Sequence, residues 1–356
     1  MYRDMLWLRH IDEAPASVVQ NGFSDAFRKK FNDIATLDGG LELQEEYLAS
    51  DGTRKLVFRV HSGPAAGGKI ETVLIPIVRE RGKKDRITLC VSSQVGCAMG
   101  CKFCYTGKMG LLGNLTPAQI IEQVVSARRF QFEQTCLGSL QLEGHDSLAM
   151  ANNKFTTTIN NIVFMGMGEP LHNMPGILPA IDTLLDHHGL HFSHNKVTVS
   201  TVGLIPEMKI LLKSCRASLA VSLHGATDAV RSSIVPVNLR YPVEELVSVL
   251  REEFPIEARG GAHVLIEYTM MSQVNDSIED AKALLSLLKG VKCKINLIVF
   301  NPHEGTEYRA STQEAVVAFR DILIKGGRVA TVRCSRGEES MAACGQLGEG
   351  KRVMPI

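Results

Sequence analysis

From about residue 87 onward the chain alternates short apolar runs with amphipathic stretches. ITLCVS from Ile87, NIVFMG from Asn161, KVTVS from Lys196, SLAVSL from Ser218, VLIEYTM from Val264 and KINLIVF from Lys294 have the length and β-branched content of strands buried in a sheet. Between them lie segments with helical periodicity. Thr116, Pro117 and Gln119 open the first with an N-cap, a proline at the first helical position and a capping-box partner, and apolar Ile120, Ile121, Val124 and Val125 follow. The others begin near Pro175, Ile205, Pro242, Ser277 and Ser311, the last two with serine N-caps. This repetition predicts an α/β fold in which six βα units, right-handed at each crossover, curl into a partial (βα)6 barrel over residues 87–334. In such a barrel the chemistry sits at the C-terminal strand ends.

Two stretches break the rhythm. Residues 131–158 are polar without clear periodicity and read as a loop inserted between the first helix and the second strand. Residues 1–86 form a separate N-terminal module: FSDAFRKKFNDI is a short basic amphipathic helix, and ELQEEYLASDGTRKLVFRVHSG followed by KIETVLIPIVRERG reads as hairpin-rich. RERGKKDR, with five basic residues against two acidic ones, is either a solvated turn or a phosphate contact. Residues 335–356 trail the barrel as a C-terminal segment.

Composition narrows the class. With 356 residues, 45% hydrophobic and 22% charged, the chain can bury a sizeable core and lies far from disordered or fibrous compositions. The net charge is only +1, from 39 basic and 38 acidic residues, so a polyanionic partner would have to meet a local patch. No apolar run approaches the roughly 18 residues of a membrane span, and MYRDMLWLRHIDEAP lacks the apolar segment of a secretory signal. The expected setting is reducing and cytoplasmic, with an organelle as the alternative. Nine cysteines, crowded at Cys90, Cys97, Cys101 and Cys104 and scattered at Cys136, Cys215, Cys293, Cys334 and Cys344, argue against a disulfide scaffold and for a metal or reactive-thiol site.

The strongest chemical signal is Cys97-x-x-x-Cys101-x-x-Cys104, directly after the first strand and before the first helix. Three thiolates this close can converge on one metal centre, and Gly96, Gly100, Gly107 and Gly110 let the backbone wrap it. No fourth cysteine or histidine lies in the loop, so a coordination position stays open. Soft thiolates favour an iron–sulfur cluster or zinc, the bland reading being three buried unligated cysteines.

The triplet is the signature of radical S-adenosylmethionine (SAM) enzymes. Together CVSSQVGCAMGCKFCYTG, FMGMGEPLHN, VTVSTVGLIPEM, LAVSLHGATDAVRSSIVPVN, INLIVFNPHEG and RGEESMAACGQL resemble the dual-specificity adenosine C2 methyltransferases of ribosomal and transfer RNA, over about residues 24 to 350. The sister C8-methylating resistance enzymes come next. The resemblance implies a four-iron, four-sulfur (4Fe-4S) cluster on Cys97, Cys101 and Cys104, whose open iron binds the amino and carboxylate groups of SAM. It places Gly168 and Glu169 at the SAM ammonium, and Ser200, Ser222, Leu223, His224 and Asn301 at its ribose and adenine. It makes Cys344 the residue that is methylated by a first SAM and carries the methyl group, Glu71 the acceptor of the adenosine C2 proton once a second SAM has supplied the radical, and Cys90 the thiol that releases product through a transient disulfide with Cys344.

The implied partners are an RNA substrate and a reduced ferredoxin- or flavodoxin-type electron donor, with no membrane and a monomeric enzyme. Three features depart from the family pattern. Only about 23 residues precede FSDAFRKKF, which implies a shortened N-terminal module and a partial RNA-binding region. Met341 stands where an acidic residue is usual, and Tyr105 where a small one is common. Cys136, Cys215, Cys293 and Cys334 match no family role and read as structural or surface thiols. The competing readings are C8 methylation by the same machinery and a paralogue that binds RNA or a cluster without turnover.

Overall fold

The computed structural model describes residues 39–77, 86–140, 158–257, 262–333 and 335–348, and five positions between 24 and 33. The RERGKKDR run apart from Arg86, Cys334, and most of FSDAFRKKFNDI lie outside the described residues, although Ala26, Lys29, Lys30 and Asp33 are helical.

One ten-stranded sheet organises the protein. Strands β1 (Leu41–Leu48), β2 (Arg54–Val60) and β3 (Lys69–Ile77) form an antiparallel meander, and β3 pairs antiparallel with β4 (Arg86–Cys90). The hairpin strands thus continue the barrel sheet. Next come β5 (Gln94–Gly96), a single helical turn α1 (Tyr105–Lys108) and β6 (Leu111–Asn114), which pairs back onto β5 in a small second sheet. Helix α2 (Pro117–Leu140) then leads to β7 (Ile159–Phe164), which lies parallel to β4. Four parallel strands extend from it: β8 (Val197–Thr201) after α3 (Met174–Leu185), β9 (Ser218–Ser222) after α4 (Ile205–Ser214), β10 (Val264–Met270) after α5 (Asp228–Ile234) and α6 (Val243–Glu253), and β11 (Cys293–Val299) after α7 (Ile278–Leu287). Helix α8 (Gln313–Lys325) leads to a last parallel strand, β12 (Val329–Arg333).

The six expected barrel strands and their helices are present, with two corrections. Residues 131–140 are helical and belong to α2, because nothing between Phe130 and Leu137 stops propagation: there is no proline or glycine. The rest of the expected loop, residues 141–157, lies outside the described residues. A seventh parallel strand, β12, follows the sixth helix; it is short, sits at the sheet edge and leaves Val329 56% exposed, so its hydrophobic signal is weak.

Local signals set the helix starts. Thr116 and Gln119 exchange backbone-to-side-chain bonds, with the Thr116 amide donating to Gln119 at 3.0 Å and the Gln119 amide to Thr116 at 3.3 Å. Ser277 and Asp280 make the same box at α7. The last helix starts one residue later than expected, with Thr312 as its cap.

Strand alternation sorts the sheet into two faces. Ile87, Leu89, Ile162, Val199, Val221 and Leu297 are all at most 1% exposed and pack into the core that the helices cover, each such burial contributing about 1.5–3 kcal/mol. The ladder partners on the other face are polar: Thr88 opposite Asn161, Ser222 opposite Glu267, and Glu267 opposite Asn296. Polar groups on the inner wall of a barrel are expensive without partners. They mark where ligands go.

Candidate active site

The cysteine loop grows out of the end of β4. Gly96 has a φ of +74° and a Cβ there would lie 1.8 Å from the Gly110 carbonyl oxygen, so only glycine lets β5 and β6 close. The Cys97 amide then donates to that same carbonyl at 2.8 Å, and the Cys104 amide to the Cys101 carbonyl at 3.1 Å. Cys97, Cys101 and Cys104 all line one cleft at the C-terminal ends of the strands, shared with Gly168, Glu169, Ser200, Ser222, His224, Glu267 and Cys344.

Burial pushes the Cys97 thiol up to about 12 and those of Cys101 and Cys104 upward as well. As thiolates they require a positive centre beside them. Among the described residues no three His, Cys, Asp or Glu side chains are gathered tightly enough to hold a metal ion as they stand. An iron–sulfur cluster asks for something wider than one ion's tetrahedron, with each thiolate on a different iron. Three converging soft donors on a glycine-rich loop fit that group.

Glu169 follows Gly168, whose φ of +95° and close approach to Gln94 again demand glycine. The Glu169 carboxylate accepts the amides of Leu171 at 3.1 Å and Val202 at 3.0 Å, which holds it rigidly, yet burial still pushes it up to about 7. The Thr201 hydroxyl bonds the same carboxylate, which leaves one lone pair for a cation. Ser200 and Ser222 meet at 3.3 Å on adjacent strands. His224 has a φ of 58°, and its Nδ1 accepts the Thr269 amide at 3.0 Å. Burial, then nearby Arg231, pushes it down to about 3 and keeps the ring neutral. Leu223 does not face the cleft: it is fully buried in the core, its amide donating to Glu267 and its carbonyl accepting from Arg231.

Cys90 and Cys344 line a second, smaller cavity with Ile75, Asn301 and Arg333. Cys90 is buried at the end of β4, while Cys344 opens onto the cleft and is exposed there. Burial, then the neighbouring Cys344, raises the Cys90 thiol to about 12, while Arg333 pulls the other way. Asn301 donates to the Cys344 carbonyl at 3.2 Å and lines this smaller cavity, beside the cleft that Cys97, Cys101 and Cys104 line. Glu71 sits on β3 on the same sheet face as Cys90, because Val73, two residues on, is the ladder partner of Cys90. Its carboxylate pairs with Lys55 at 3.4 Å, accepts the Gly348 amide at 3.3 Å and borders an adjoining cleft of about 580 Å³.

A strap of residues 341–348 joins these parts. Lys55 donates to the Met341 carbonyl at 3.3 Å, the Tyr105 amide to the Gly345 carbonyl at 2.8 Å, Thr106 to the Leu347 carbonyl, and Gln346 to the Pro302 carbonyl at 2.8 Å. Cys215 and Cys293 lie at the N-terminal ends of β9 and β11, away from the cleft. The side chain of Cys136 is outside the described residues. Three residues in or beside the site had no assigned role in the sequence reading: Lys55, Glu267 and Arg333. Glu267 does leave a mark there, as the one charge inside the apolar strand VLIEYTM.

A three-cysteine loop at the mouth of a parallel α/β barrel defines a radical SAM protein, and residues 91–288 match the Radical SAM superfamily. The match to known proteins is narrower than that class. Over 305 residues the chain is 43% identical to the dual-specificity RNA methyltransferase RlmN of Syntrophotalea carbinolica, covering 86% of this chain and 72% of that one. Over 341 residues it is 40% identical to the protein of the same name from Geotalea uraniireducens, covering 96% and 88%. The crystal structure of a radical SAM methyltransferase from Sphaerobacter thermophilus superposes with a TM-score of 0.79 at 36% identity, covering 97% of this chain and 92% of that one. The chain belongs to the RlmN family of dual-specificity RNA methyltransferases.

Proposed function

We propose that this protein methylates C2 of an adenosine in ribosomal RNA, transfer RNA or both, using Cys344 as a methyl carrier. The observation that carries this reading is the shared cavity of Cys90 and Cys344, with Glu71 on the same sheet face. Adenine C2 is an electrophilic amidine carbon, so displacement of a methyl group from SAM cannot reach it. Cys97, Cys101 and Cys104 would hold a 4Fe-4S cluster, which with SAM supplies the one-electron chemistry that removes hydrogen from an S-methyl group. Glu169 would bind the SAM ammonium.

Cys344, once methylated, presents the S-methyl carbon that bonds to C2. Glu71 then takes the proton that C2 gives up, and the odd electron of the adduct would pass back to the cluster, which leaves a closed-shell methylene crosslink. Cys90 resolves the crosslink as its thiolate attacks the Cys344 sulfur: an S–S bond forms, the S–CH2 bond breaks, and its electron pair stays on the carbon, which is protonated to methyl. Arg333 favours that thiolate against burial. Two SAM molecules are used per turnover, one for the methyl group and one for the radical. A ferredoxin- or flavodoxin-type donor reduces the cluster in the cytoplasm, and the enzyme works as a monomer. No helix among the described residues is long and apolar enough to cross a membrane.

The test compares two variants expressed with their RNA and run on denaturing gels with and without nuclease. Cys90→Ala is expected to carry a nuclease-sensitive shift, because bond formation proceeds and release does not. Cys344→Ala should carry none. Identical behaviour of the two would leave both cysteines as core residues and end the reading.

A further inference from the structure

A buried ion pair lies between the hairpin strands and the strap. β2 runs between β1 and β3, with Tyr47 opposite Lys55 on one side and Glu71 opposite Val57 on the other. Residues two apart on a strand share a face, so Tyr47, Lys55, Val57 and Glu71 point the same way, and Lys55 is the diagonal neighbour of Glu71. A long side chain spans that diagonal. The Lys55 ammonium reaches Glu71 Oε1 at 3.4 Å, the Met341 carbonyl at 3.3 Å and the Tyr47 ring, whose centroid lies 5.0 Å away. Its three N–H groups are thus held from three sides. Both side chains of the pair are only 7% exposed.

Burial decides what the cation does for the carboxylate. A carboxylate in such a place with no cation beside it takes up a proton, because an uncompensated buried charge costs more. Once protonated, Glu71 could accept nothing. The other ionisable groups bordering the same cleft are Glu45 and Tyr47 on β1, Arg59 on β2, Lys69 on β3 and Glu339 ahead of the strap. Arg59 is exposed and Lys69 pairs with Glu45 at 3.7 Å, so Lys55 is the buried cation among them. After Glu71 has taken a proton from C2, the unmatched charge on Lys55 favours passing that proton to water in the cleft, which restores the carboxylate.

We propose that Lys55 is the positioning residue for Glu71: it keeps the carboxylate charged before each turnover, ties it to the strap that carries Cys344, and returns it to the charged state afterwards. This rests on the reading of Glu71 as the acceptor of the C2 proton.

The experiment uses cluster-loaded protein made in cells, so that Cys344 arrives methylated, in a Cys90→Ala background where release plays no part. SAM, dithionite and a mixture of unmodified transfer and ribosomal RNA start one turnover. Electron paramagnetic resonance then follows the organic radical of the adduct, whose decay requires proton transfer to Glu71, across a range of pH. Lys55→Gln, which keeps an N–H for the Met341 carbonyl and loses the charge, should move the acid limb of the decay rate up by about one pH unit or more. On that limb the radical then persists about tenfold longer, and above about pH 9 the two proteins converge. Lys55→Arg should leave the limb near its original place. Iron content and circular dichroism are measured alongside, and Lys55→Met, of similar volume, replaces Lys55→Gln if that variant folds poorly. Equal slowing at every pH, or an unmoved limb, would overturn the role of Lys55 while Glu71→Gln still stalled the radical. Decay at an unaltered rate in Glu71→Gln would bring down the reading of Glu71 as proton acceptor, and this inference with it.

Discussion

His224 shows how much a single position can be asked to do. It adopts a left-handed backbone, presents an edge to the Phe103 ring at 4.8 Å, and accepts the Thr269 amide on Nδ1, a bond that protonation would destroy. Its pKa falls from 6.5 to about 3, first through burial and then through Arg231. The sign follows from proton uptake: below about pH 6.5 the unfolded chain binds the proton and the folded one does not, so stability is full above that value and drains away as pH falls. Between pH 7 and pH 5 the urea-unfolding free energy is expected to drop by about 2 kcal/mol from this residue. His224→Gln should flatten that part of the profile, and an unchanged slope would mean that the imidazole is not buried neutral. At this scale the sequence was partly legible. Cys97, Cys101 and Cys104 announce themselves by spacing, whereas the inward-facing Glu267 between Ser222 and Asn296 and the left-handed His224 exist only once distant strands are side by side.

Among the elements, those that carry long apolar runs could be read directly, because a strand buried on the helix-covered face has to be apolar there. Those that failed to declare themselves had other reasons to exist. β12 is an edge strand that needs little burial, and the second half of α2 extends a helix already nucleated by its Thr116–Gln119 box. The β5–β6 pair is invisible to hydrophobic periodicity, since it is held by the fit of Gly96 against Gly110. Gly96→Ala is therefore expected to leave the barrel folded, with far-ultraviolet circular dichroism unchanged, and to cut iron incorporation by about tenfold or more by opening the loop that presents Cys97. Normal iron content in that variant would show that the hairpin does not shape the cysteine loop.

For the molecule as a whole, the contacts that matter most join residues hundreds of positions apart, which no local pattern records. Met341 meets Lys55, and Gly348 meets Glu71, across 286 and 277 residues of chain. Asn301 contributes one bond of this set, to the Cys344 carbonyl. Asn301→Ala should loosen the strap by about 1 kcal/mol, raising hydrogen exchange across residues 341–348 and iodoacetamide labelling of Cys344 about fivefold. Rates equal to wild type would show that the remaining anchors suffice.

The strap lines all three cavities at once: Met341 and Gly348 border the Glu71 cleft, Ala342 and Ala343 the thiol cavity, and Gly345 the cluster cleft. Cys344, tied down on both sides, is no swinging arm. It is a fixed berth, and every vessel has to come to it. For the proposed cycle this imposes a timetable: the spent first SAM must clear the berth before the second can dock, while the nucleotide can wait on the far side of the strap without blocking the channel.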